Sequence, residues 1–176
     1  MNLNDFFDYK NRLMHDLVTN EAIVRLLDDT MSVEDGEQLI YKQIFPYEYI
    51  PETIEHGHTY ICCDVDVMSP SLRSTASRST FYHPEIFIWV MSHVSKLRVP
   101  TGGVRTDRLC AEIAKVINGS MFYGMGKLAL YSVRRFAAVT DFPGKVMAFT
   151  TTEWNRPFDP TKEVPANRKA GISANS

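Results

Sequence analysis

The spacing of apolar positions changes along the chain, and the changes predict its elements. Over residues 3–17 the large apolar side chains Phe6, Tyr9, Leu13 and Leu17 recur with Asp, Lys and Arg between them, the repeat of an amphipathic helix. Asn20 then stands as an N-cap for a second helix, "EAIVRLLDD", with Glu21 in its first turn and Ile23, Leu26 and Leu27 on one stripe. A short third helical stretch is predicted over "GEQLIYKQI". It must end before Pro46, because the residue preceding a proline is pushed out of the α region. The aromatic segment "FPYEYIPET" that follows is predicted to run extended over the domain surface or against a neighbouring chain.

From Thr59 the period becomes two. In "TYICCDVDV" one alternating set is Thr59, Ile61, Cys63, Val65 and Val67, predicted to point inward. The other, Tyr60, Cys62, Asp64 and Asp66, is predicted to point outward. "EIFIWVMSHV" is apolar on both sets, as a strand in the middle of a covered sheet would be, and His83-Pro84 suits a strand start. Between these strands lies "MSPSLRSTASRSTFYH", rich in Ser and Thr, with Arg73 and Arg78 and no acid. So long a connection in a compact domain is more often functional or disordered than idle, and 69–83 reads as a protruding, hairpin-like arm or a mobile loop that reaches a partner. "RTDRLCAEIAKVINGS" is predicted as a helix capped by Thr106, with Asp107 at its positive end, Leu109, Ile113, Val116 and Ile117 as its buried stripe, and Asn118-Gly119 as its close. "KLALYSVRRF" and "GKVMAFTTTEW" supply two more strands, with Pro143-Gly144 turning the chain into the second. Beyond Trp154, three prolines and little apolar content predict an extended tail over 155–176 that orders only on an adjacent subunit.

The order of elements gives an α+β fold, a mostly antiparallel β-sheet with helices packed on one face. One domain is expected over 1–154, with its N-terminal helices in 1–44. Composition agrees: 176 residues, 44% hydrophobic and 23% charged, suit a single core. Nineteen Lys and Arg against 21 Asp and Glu leave no general attraction for nucleic acid or an anionic membrane. The first residues carry acids where a signal peptide is basic, and no run approaches the roughly 18 apolar residues of a membrane span. A soluble protein made in a reducing cytoplasm is expected. Its cysteines, Cys62, Cys63 and Cys110, are then free thiols, with Cys63 in the core and Cys62 semi-exposed.

The stretch "HGHTYICCDVDV" holds the residue types of a metal site, His56, His58, Asp64 and Asp66. Six residues of strand nevertheless separate His58 from Asp64 by roughly 20 Å, too far to share an ion. Cys-Cys is not the Cys-x-x-Cys of a redox pair. "TGGVRT" and "FYGMGK" do not match the spacing of a phosphate loop, and no nucleophile elbow is present. Arg73, Arg78, Arg134 and Arg135 serve as well in ion pairs between subunits as on phosphates. No catalytic residue, metal or cofactor is therefore assigned. A metal-dependent hydrolase built on the His56 to Asp66 stretch and a DNA-binding module built on the arginines stay open as alternatives.

One resemblance extends the reading. "LIYKQIFPYEYIPET" leading into "TYICCDVDV", then "RTDRLCAEIAKVINGSMFYGMGKLAL" and "FPGKVMAFTTTEWN", resembles in its order of motifs the tail terminator and tail-completion (neck) proteins of long-tailed bacteriophages, over roughly residues 37–155. The resemblance implies a virion structural protein, not an enzyme: a subunit of a ring, typically hexameric, that terminates the tail tube and joins tail to head around a DNA channel. A head-closure (stopper) protein of the same neck is the alternative it leaves. Its partners would be further copies of itself, the tail tube protein and other neck proteins, with DNA only as passing cargo and no membrane. The contact residues expected on this reading are Arg73 and Arg78 of the arm, Phe45, Tyr47 and Tyr49, Trp154 and Phe158, and Asp64 and Asp66 facing an arginine of an adjacent subunit.

Overall fold

A computed structural model describes residues 5–51, 57–68, 83–121 and 126–151. Three helices, α1 (Asp5–Val18), α2 (Glu21–Leu27) and α3 (Arg105–Ile117), pack on one face of a five-stranded sheet. Its strands are β1 (Ile44–Phe45), β2 (Thr59–Met68), β3 (His83–Ser92), β4 (Leu128–Ala137) and β5 (Pro143–Thr151), in the order β1-β2-β3-β5-β4. β1 runs parallel to β2, and the other three pairings are antiparallel. The α+β architecture expected from the periodicity is present, with the doubly apolar β3 at the centre.

The main core lies between helices and sheet. Leu13 and Leu17 of α1, Ile23 of α2, and Leu109, Ile113 and Ile117 of α3 meet Ile61 and Cys63 of β2, Ile86, Ile88 and Val90 of β3, and Met147 and Phe149 of β5. Each fully buried aliphatic side chain contributes about 1.5–3 kcal/mol, so this layer dominates the stability of the fold. Asn20 caps α2 as expected, its side-chain oxygen accepting the N–H groups of Ala22 and Ile23 at 3.0 and 3.2 Å.

Three boundaries differ from the sequence reading. α2 stops at Leu27 because Asp28 turns its carboxylate onto the backbone N–H and hydroxyl of Thr30, at 2.9 and 2.7 Å; a short acidic side chain offers the backbone an alternative to the helix. The helical stretch predicted over 36–44 is a 3-10 helix at Val33–Leu39. Past it, Tyr41 takes a left-handed φ of 61° and its N–H bonds the Ile44 carbonyl, which throws Ile44 and Phe45 into β1. At α3 the N-cap is Val104, and Thr106 is buried in the first turn instead of capping it.

A fourth difference concerns the back of the sheet. Tyr60 and Cys62, predicted to face outward, are buried on the face away from the helices. Phe45 and Phe142, with the partly buried Tyr49, Phe136, Ala138 and Val139, cover them in a second, smaller core that also takes in Met91. Phe45 stacks on Tyr49 with ring centroids 4.2 Å apart. Alternation along β2 places these side chains on the back face correctly, but it carries no information about a segment folding over that face.

Candidate functional site

The metal-like stretch disperses in three dimensions. His56 lies outside the described residues; His58 is exposed and its Nδ1 lies 3.2 Å from the Gln43 side-chain nitrogen. Among the described residues no group of three His, Cys, Asp or Glu side chains is placed to hold a metal ion. Asp64 has a partner within its own chain: Lys10 of α1 reaches past the end of β1 to the Asp64 carboxylate at 2.5 Å and to the Pro46 carbonyl at 3.1 Å. Asp64 thus has an ion-pair partner within its own chain and keeps 36% of its side chain exposed. Asp66 is exposed and has no ion-pair partner among the described residues.

All three cysteines are buried free thiols, so the expectation of a semi-exposed Cys62 is corrected. Burial pushes the thiols of Cys62 and Cys110 up to about 11 and raises that of Cys63 further. A thiol held neutral is a poor nucleophile and a poor ligand.

Of the expected contact residues, Phe45 is committed to the back-face core, Tyr49 is half-buried beside it, and Tyr47 is 48% exposed. Arg73, Arg78, Trp154 and Phe158, with the 69–83 arm and the tail, fall outside the described residues. What the structure adds is a patch on the opposite edge of the sheet. β4 exposes Tyr131, Val133, Arg134 and Arg135. Tyr131 occupies an irregularity in the register between Leu130 and Ser132, and its hydroxyl bonds Glu85 of β3; desolvation first, then the Glu85 charge, raise its pKa.

One important residue escaped the sequence reading. Arg105, at the first position of α3, is 2% exposed. Its Nε donates to the Lys96 carbonyl at 2.8 Å, and its two terminal nitrogens donate to the Leu26 carbonyl at 2.6 Å and to both Asp29 oxygens at 3.2 and 3.0 Å. A signal was available: Arg105 lies four residues before Leu109, on the extension of the buried stripe, at a helix end where a cation is disfavoured. The adjoining cavity of about 440 Å³ is lined by Leu26, Val99 and Pro100 and by Arg25, Asp29, Arg108 and Glu112. Each of these charges is engaged within the chain, by Glu21, Arg105, Thr101 and Lys115 respectively. The junction is built to hold α2, α3 and the chain before α3 together.

The sequence model of the YomW family matches residues 20–151, well over half of the chain. The chain belongs to the YomW family. This is a phage-type family, and membership points to a phage origin. No curated protein matches the chain. The YomW match begins at Asn20, the cap of α2, and ends at Thr151, the last residue of β5. It therefore takes in the whole sheet, Arg105 and both exposed sheet edges, while α1, which supplies Leu13 and Leu17 to the core, lies outside it.

Proposed function

We propose that this YomW-family protein is a structural subunit of the phage neck. It assembles head to tail into a ring, six-fold in the reading taken from its resemblance, that ends the tail tube and joins it to the head around a channel for DNA. Its work is done by surfaces and not by a catalytic group. The observation that carries the reading is the placement of exposed apolar side chains. Tyr131 and Val133 lie along β4 at one edge of the sheet, and Tyr47 and Ile50 follow β1, each between 44% and 59% exposed, with Phe7, Tyr41, Val94 and Met121 exposed elsewhere. Large apolar groups left in water at two unlike patches suit a subunit that buries each against a different surface of a neighbour, which is the geometry of a head-to-tail ring. The phage-type family supports a phage protein, and the resemblance in the order of motifs is what suggests the neck.

Negative-stain imaging and sedimentation of the purified protein, alone and with tail tubes, test the proposal. Rings with a central opening, seated on tube ends, are the expected result. A protein that stays monomeric at every concentration and is missing from purified virions overturns it.

A further inference from the structure

We infer that copies of this chain join edge to edge, with the outer edge of β4 in one copy pairing antiparallel to the outer edge of β2 in the next. The inference rests on the ring reading above and names the two surfaces that close the ring.

Both edges are open, in different ways. β4 is a ten-residue edge strand whose first part is covered, the backbone of Leu128 and Leu130 bonding Gly119, Ser120 and the Asn118 side chain, which leaves an open stretch of ordinary strand length. The irregularity at Tyr131 interrupts it, but residues 132–137 stay in regular register with β5, and no strand pairs with their other side among the described residues. Edges of this kind are templates for pairing unless they are blocked. On the far side of the sheet, β1 covers only Ile61 and Cys62 of β2, so residues 63–68 have no strand beside them among the described residues. The backbone shows where strand pairing stops: the Ile61 N–H is taken by the Gln43 carbonyl across that edge, whereas the Val65 N–H, which points the same way, bonds the carboxylate of the preceding residue, Asp64, at 2.8 Å, the carboxylate that Lys10 also holds.

Strand direction fits. From β2 through β3 and β5 to β4 the sheet reverses three times, so β4 runs opposite to β2. A copy carried sideways by rotation about an axis along the strands presents its β2 antiparallel to β4 of its neighbour, with the helices of both on the same face.

Charge selects which edges meet. The β2 side carries Asp66 directly across from Glu85 of β3, and the β4 side carries Arg134 and, across from Lys145 of β5, Arg135. Like charges directly opposite one another destabilise a sheet, and each subunit bears one such acidic pair and one such basic pair. Two β4 edges repel, and so do two β2 edges. Arg135 and Lys145 lie on the helix face, where Lys145 already pairs with Asp107 at 2.7 Å, but Arg134 shares the back face with Asp66 and Glu85, so a β4 edge beside a β2 edge offers the acidic pair an arginine. Bringing Arg134 level with Asp66 takes a stagger of about four residues, a shift of the kind required when a sheet closes on itself.

The test uses two full-length variants, Arg134→Glu with Arg135→Glu, and Asp66→Lys with Glu85→Lys, each checked for native circular dichroism. Each alone should shift the sedimentation peak from ring to monomer. Mixed in equal amounts they should return it to the ring, since each reversed edge then meets its complement on the other chain. Rings that persist in either variant overturn the edge pairing and leave the ring reading standing. Folded monomers that fail to reassemble on mixing overturn the matching of these two edges. A wild-type protein that is monomeric with and without tail tubes overturns the ring reading, and this inference with it.

Discussion

Replacing Arg105 by methionine keeps most of the side chain's volume and removes its charge and hydrogen bonds. The expected loss follows from its contacts. The carbonyls of Leu26 and Lys96 each lose a bond from a buried cation, about 1.5–3 kcal/mol apiece. The pair with Asp29 adds about 1 kcal/mol, discounted because Asp29 is 45% exposed and its carboxylate returns to water. Some of the loss is offset by apolar packing of the methionine, which leaves about 3–5 kcal/mol, the range found when one partner of a buried pair is removed. A domain of this size has about 5–15 kcal/mol in total, so the variant should stand near the edge of folding. Urea denaturation of dilute protein measures it, as a lowered midpoint at unchanged slope. Asp29→Asn is the control and should lose only about 1–2 kcal/mol, because both carbonyl bonds survive. Arg105→Lys should fall between the two, since a single ammonium cannot span acceptors on three segments. An Arg105→Met variant within about 1 kcal/mol of wild type would refute the reasoning that the guanidinium holds α2, α3 and the chain before α3 together.

Three further outcomes are expected. Gly144→Ala places a methyl group against the Val90 carbonyl oxygen and the Met91 backbone; overpacking of about 2 kcal/mol should lower the melting temperature by about 4–8 °C, and an unchanged transition would contradict the close approach of β5 to β3. None of the three thiols should react with a disulfide reagent at pH 8 in the native protein, and all should react in denaturant; rapid labelling of Cys62 in the native state would contradict its cover by Phe45 and Tyr49. With Cys62 and Cys110 at about 11 in the fold and near 9.0 unfolded, the unfolded chain releases these protons first. Their contribution is whole below pH 9 and is lost as pH rises toward 11, so urea midpoints should fall across that window, and less steeply in a Cys62→Ala, Cys110→Ala variant.

Local pattern sufficed where one side chain or one period decides the outcome. Asn20 caps α2 because its own oxygen reaches two N–H groups of the next turn. Leu109, Ile113 and Ile117 are buried because helical spacing puts them on one side, and the two-residue period of β2 placed Ile61 and Cys63 in the main core. Parity alone would have put His58 and Asp64 on one face; it was the rise of six strand residues, roughly 20 Å, that argued against their sharing an ion. Parity failed for Tyr60 and Cys62, whose burial depends on residues about 15 and 80 positions away folding over the back of the sheet.

The sequence by itself therefore determined the kinds of element, their order, the helix-facing core and the α+β class, since these follow from backbone period and short-range capping. Only the tertiary structure decided which edges of the sheet stay open, that Asp64 is claimed by Lys10, and that Arg105 is the pin of the helix layer. Each of these depends on what long-range folding brings beside a residue, and a charge reads the same along the chain whether its partner is water, a distant carbonyl or a strand of another copy.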